Sequence, residues 1–169
     1  MAHAVPLNLK KEFTRAFEVA KLNPRMMKKL AKSRKGTKMA TRFVFLAAVA
    51  GALGSVVFPL EYEEVVYKPT FVQALVNVGV AFSLILLSFY VIHFIAKAFF
   101  HGEGSFRSFF QVVGYGYVIG LLYFFPILTF VVWVWTAVVL EKALVEVKKL
   151  SHEQAIVTLL LLFGLYVLL

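Results

Sequence analysis

Twelve of the eighteen Lys and Arg residues lie in the first 42 positions, directly ahead of a chain that is otherwise almost continuously apolar. Only Glu12 and Glu18 oppose them, so the segment carries a net +10, while the remaining 127 residues hold six basic and seven acidic side chains. A chain that is 61% hydrophobic exceeds the roughly 45–50% apolar content of soluble domains, and hydrocarbon is the natural solvent for the excess. A basic head on such a body predicts an all-α, polytopic integral membrane protein with a cytoplasmic N-terminus. Residues 1–42 form the expected basic amphipathic head and residues 43–169 the expected membrane domain.

The net charge of +9 also suits nucleic acid, but the cations adjoin an apolar span, which makes anionic lipid headgroups the expected counter-ions. The chain has no cysteine, which excludes disulfides, thiolate chemistry and Cys-based metal sites. Aspartate is absent as well. The first long apolar run begins at Phe43 without the layout of a cleavable signal, so none is expected.

In the head, Leu9, Phe13, Ala16, Phe17 and Ala20 recur at helical spacing, with Lys10, Lys11, Arg15 and Lys21 on other faces. Asn23-Pro24 reads as an N-cap followed by proline at the first helical position. Met26, Met27, Leu30 and Ala31 then form a second apolar stripe. Lys10, Lys11, Arg15, Arg25, Lys28, Lys29, Lys32, Arg34 and Lys35 are the candidate headgroup contacts. Helices of this kind either lie in the membrane interface or pack on the cytoplasmic ends of the spans.

Five spans are expected beyond the head. The first covers 43–60 and leads to an acidic loop, Glu61-Tyr62-Glu63-Glu64. Thr70 and Gln73 suit a capping box for the second, over 71–98. The apolar stretch 109–140 would be ~48 Å long as one helix, and Pro126 near its middle divides it into two spans. The fifth opens at Ser151, with Gln154 completing a capping box. Lys97, Arg107, Lys142, Lys148 and Lys149 then fall in inner loops and only Lys68 in an outer one, as the positive-inside rule requires. The C-terminus is accordingly expected outside.

Intramembrane chemistry needs ionisable groups at depth, and no span has one near its centre. An enzyme is not expected. His93, His101 and Glu103 match no strong metal-ligand pattern, and Gly102-Glu103-Gly104-Ser105 lacks the spacing of a phosphate loop. Neither a metal nor a cofactor is expected. Glycines are more informative: Gly114, Gly116 and Gly120, with Gly51 and Gly54 in the first span, suit close helix packing, either within the chain or between copies. Asn77, Gln111, Tyr115, Tyr117, Thr129 and Thr158 read as interhelical hydrogen-bonding groups.

The run His101-Gly102-Glu103-Gly104-Ser105-Phe106-Arg107, followed by Val113-Gly114-Tyr115, Trp135 and Leu150-Ser151-His152-Glu153-Gln154-Ala155, resembles the Yip family of Rab-GTPase-interacting membrane proteins, in its prokaryotic branch. Asn23-Pro24-Arg25 is similar to the proline-containing helix that opens many members. The resemblance implies a five-span, N-inside protein of membrane organisation, in a prokaryotic cell membrane. The eukaryotic Asp-Leu-Tyr-Gly-Pro motif is absent, which argues against a Rab-type GTPase partner. Organisation of membranes or membrane-protein assemblies is therefore the expected role, with a small transporter or channel for lipid or an uncharged solute as its competitor.

Overall fold

A computed structural model describes residues 8–33, 35–58, 60–62, 65–67 and 69–168, with the backbone alone for 60–62, 65–67 and Tyr166. Arg34, Glu63, Glu64, Lys68 and Leu169 lie outside the described residues. The chain forms a helical bundle, its elements being α1 (Leu9–Ala20), α2 (Pro24–Ala31), α3 (Gly36–Val57), α4 (Phe71–Phe100), α5 (Phe106–Gly116), α6 (Thr129–Lys148) and α7 (His152–Leu168).

Local sequence explains most of the boundaries. Asn23 Oδ1 accepts from the amides of Arg25 and Met26, and Pro24 opens α2 with an imide that needs no partner. The Thr70–Gln73 box starts α4 and the reciprocal Ser151–Gln154 pair starts α7. α3 begins at Gly36, so the change in charge at 42/43 falls inside one continuous helix. Lys and Arg are good helix formers, and a change from water to hydrocarbon solvent does not require a change in backbone conformation.

Two segments differ from the sequence expectation. Glu61 and Tyr62 of the acidic stretch belong to a strand, β1 (Leu60–Tyr62), paired antiparallel with β2 (Val65–Tyr67), with Glu61 opposite Val66. Its alternating, β-branched and aromatic residues favour extended backbone over open loop. The first leg of the 109–140 stretch, moreover, is not a uniform α-helix. α5 passes at Tyr117 into a 3-10 helix, Tyr117–Phe124, and the chain reverses through a second 3-10 turn, Pro126–Leu128, before α6. Among the described residues, three helices have the length and hydropathy to cross a membrane: α3, α4, and α6 extended back to Pro126; α7 is a shorter apolar helix.

The core forms where α3, α5 and the 3-10 helix meet. Phe43, Phe109, Tyr115, Phe89, Ile92 and Leu144 are almost completely buried there. α4 and α7 pack on its flank, while Phe71, Phe94, Phe130 and Leu168 remain more than half exposed. Such an outward apolar surface suits a lipid solvent.

Candidate functional site: a basic helix pair clamped to the bundle

Two acidic residues in the head do structural work. Glu12 accepts a hydrogen bond from the Tyr115 hydroxyl and pairs with Arg15 Nη1 at 2.8 Å, joining α1 to α5. Glu18 Oε2 accepts from Asn23 Nδ2 at 2.8 Å across the α1–α2 turn, where Leu22 takes a left-handed φ of 62°. Trp135 Nε1 donates to the Ala20 carbonyl at 2.9 Å, and Lys28 pairs with Glu146 at 3.0 Å. Gln111, fully buried, donates through Nε2 to Ser33 O and Thr37 Oγ1 at 2.8 and 2.9 Å, which holds the α2–α3 junction on α5.

Apolar contacts do the rest. Ala16, Val19, Met27 and Leu30 enter the core, and Phe13 meets Phe43 edge-on at 5.3 Å. Phe17 and Leu9, from the same sequence stripe, are 56% and 54% exposed. Val19 is buried in their place, because the docked face of α1 is rotated past the edge on which Phe17 lies. The head is thus packed on the bundle through its apolar face. Lys10, Lys11, Lys21, Arg25, Lys28, Lys29, Lys32 and Lys35 are left exposed, and Arg15 is half-buried beside Glu12.

Four of the five candidate glycines, Gly114, Gly116, Gly120 and Gly54, lie at very close approaches. A Cβ on Gly114 would come within 2.6 Å of Ala40 Cβ, and one on Gly120 within 2.6 Å of Ala47 Cβ, both on α3. Gly116 instead faces α6, where Val139 Cγ1 would be 2.5 Å away. Gly116 and Gly120 do not share a partner, because three residues of 3-10 helix make a full turn and the i, i+4 alignment of an α-helix is lost. On α3, Gly54 presses against the Phe124 carbonyl, at 2.4 Å from a Cβ, whereas Gly51 makes an ordinary 3.6 Å approach to Tyr123.

The two sequence runs around 101–107 and 150–155 form one knot. His101 caps α4 in a left-handed conformation, and Gly102 N donates back to Ala96 O at 2.9 Å. Glu103 N then donates to Lys148 O, and Lys148 Nζ returns a 2.8 Å bond to Gly104 O, with Gly104 at φ +72°. Leu150 is buried against Gly102, 3.4 Å from where a Cβ would stand, and Ala155 is fully buried. His93 packs on Phe106 rather than beside a carboxylate.

A cavity of about 470 Å³ opens between α3, α4, the 3-10 helix and α6, and no residue of α1 or α2 lines it. Asn77, Ser55, Thr129, Tyr117 and Tyr123 supply polar atoms to it, and Trp133 lines it as well. Asn77 and Thr129 therefore line a cavity, while Thr158 bonds within its own helix to Gln154 O.

No curated protein and no solved structure matches the chain significantly. The profile of the Yip1 domain matches residues 22–169, which takes in α2, the docked loop, both legs of the reversal and α7. The chain belongs to the Yip1-domain family of membrane proteins.

Proposed function

We propose that this protein is a non-enzymatic organiser of membranes or membrane-protein assemblies, with its basic head held against anionic lipid at the cytoplasmic surface. One observation carries the reading: α1 and α2 bury one apolar face, with Ala16, Val19, Met27 and Leu30, on the bundle and turn most of their cations outward. That arrangement is a fixed charged platform, worth up to ~1 kcal/mol per Lys or Arg near an anionic surface. Five crossings, an internal N-terminus and an external C-terminus complete the proposal, in a prokaryotic cell membrane. Arg107 bonds Thr37 in the first turn of α3, and Lys142 shares Glu146 with Lys28 of α2, which supports the orientation. Partners of this platform would be membrane lipids, further copies of the chain or other membrane proteins; nucleic acid and a Rab-type GTPase are not proposed.

The test is lateral enrichment of a fluorescent anionic lipid around the full-length protein in liposomes. Replacing Lys10, Lys11, Arg25, Lys29 and Lys32 by Gln should abolish most of the enrichment, and salt should weaken it in the parent. Unchanged enrichment in the variant would remove the lipid-facing role of the head.

The 470 Å³ cavity favours a second reading, passage of lipid or an uncharged solute, because its polar lining is made of hydroxyl, amide and indole groups. Proteoliposomes that accelerate scrambling or uptake, and lose that effect when Gly51→Phe fills the cavity, would establish it.

A further inference from the structure

α1 docks at the edge of the bundle's lipid-facing surface. Arg42 is the last charged residue of α3, and exposed Phe45 and Leu46 follow it. Glu141 is the first charged residue of α6, and exposed Phe130, Val131, Trp133 and Val134 precede it. Gly114 and Gly116 join the two levels, the first pressed on Ala40 of α3 and the second on Val139 of α6. Val19 of α1 reaches the same point, its Cγ1 3.4 Å from where a Cβ of Gly116 would stand. Phe13 meets Phe43, the residue after Arg42, and Ala20 O is bonded by Trp135, within the apolar run of α6.

A helix ordinarily leaves its last four carbonyls without an intrahelical partner. α1 leaves none of them open. Lys21 N donates to Phe17 O at 2.9 Å, Asn23 N to Glu18 O at 3.0 Å, Leu22 N to Val19 O at 2.8 Å and Trp135 Nε1 to Ala20 O at 2.9 Å. An end closed in this way can enter a water-poor solvent, where an open carbonyl is costly. Phe17 stands on that end, ~3 Å along the axis from Val19, and is more than half exposed. Lys10 and Lys21, seven residues before it and four after, share its face and are exposed. Their stems can carry the ammonium groups to the phosphates while the ring between them lies deeper.

We propose that α1 lies within the interface of the cytoplasmic leaflet, with the Phe17 ring among the glycerol-proximal acyl chains and Lys10 and Lys21 at the headgroups. The hydrocarbon that surrounds the exposed side chains of α3 and α6 is continuous with the position of Phe17 and covers it. This placement rests on the head lying at the membrane surface, as proposed above, and adds a contact that lipid charge does not govern. Docking on the bundle and immersion in lipid then use different flanks of one helix.

The full-length protein, otherwise free of cysteine, allows a direct test in vesicles of dioleoyl phosphatidylcholine. An environment-sensitive fluorophore on Phe17→Cys should emit to the blue of the same fluorophore on Lys29→Cys or Lys11→Cys. Lipid brominated near the glycerol end of its acyl chains should quench it, and aqueous iodide should quench only the two lysine positions. High salt should leave the Phe17 signal unchanged, because apolar contact is not screened. A diazirine-bearing phenylalanine in place of Phe17 keeps an aromatic ring there and should crosslink to phosphatidylcholine, whereas the same group in place of Lys29 should not. Emission and iodide quenching at Phe17→Cys equal to those at Lys29→Cys, with no lipid crosslink, would overturn the proposal. The uncharged vesicle separates this result from lateral enrichment of anionic lipid: enrichment can fail while Phe17 is immersed, and it can persist while Phe17 stays in water.

Discussion

Single residues carry the tightest constraints where backbones nearly touch. Gly114, Gly116 and Gly120 have no room for a Cβ without movement of Ala40, Val139 or Ala47, whereas Gly79 on α4 has nothing within 4 Å. Gly114→Leu and Gly120→Leu should each destabilise the bundle by about 1–3 kcal/mol or more. Gly79→Ala should be neutral or stabilise by up to ~1 kcal/mol through helix propensity. Thermal melting in detergent checks the contrast; equal melting temperatures would show that the close approaches relax at no cost. Tyr115→Phe leaves ring packing intact but removes the hydroxyl from Glu12, and a hydrogen bond to a charged group is worth about 1.5–3 kcal/mol. That variant should melt lower, and the total loss in the double variant with Glu12→Gln should be less than the sum of the two single effects.

At the scale of elements, the head is a pair of helices whose docking and exposed charge occupy different faces. Met27 and Leu30 anchor α2 with almost no exposure, so Met27→Ser with Leu30→Ser should release it. Trypsin should then cut at Lys21, Arg25 and Lys29 many times faster, while α3–α7 stay helical by circular dichroism. Phe17→Ser, at a side chain 56% exposed, should leave the cutting rate near that of the parent. The change from α to 3-10 helix at Tyr117 is likewise an element-scale device. A 3-10 rod is narrower, and it lets Gly120 meet α3 while Gly116 meets α6.

The molecule as a whole makes a prediction about sidedness. Cysteines at Lys32 and Leu168, in the chain otherwise free of cysteine, should be labelled from opposite sides of sealed vesicles if the chain crosses five times. Gly36 is a poor labelling position because Gln111 covers it at 3.2 Å from a Cβ. Labelling of both from the head's side would remove the fifth crossing. It would lay α7 along that surface, where Leu160, Leu165 and Leu168 share a crevice with Ile95 and Phe99 in the last two turns of α4.

Membrane class, helical fold, the capped starts of α2, α4 and α7 and the reversal at Pro126 were legible in the sequence, because each depends on neighbours a few residues away or on the solvent a segment prefers. Charge distribution also marked the head as a cationic surface. Which face of α1 docks, with Val19 inward and Phe17 outward, was not legible, since a wide apolar stripe permits several rotations and the partner helix selects one. The grip of Gln111 on Ser33 was hidden for a similar reason: the two lie 78 positions apart, and only packing brings them together. The same holds for Glu12 and Tyr115, and for Gly120 and Ala47, pairs whose meaning arises across helices. Local pattern and solvent preference determined what each segment is; steric fit among helices distant in the chain decided which residues meet.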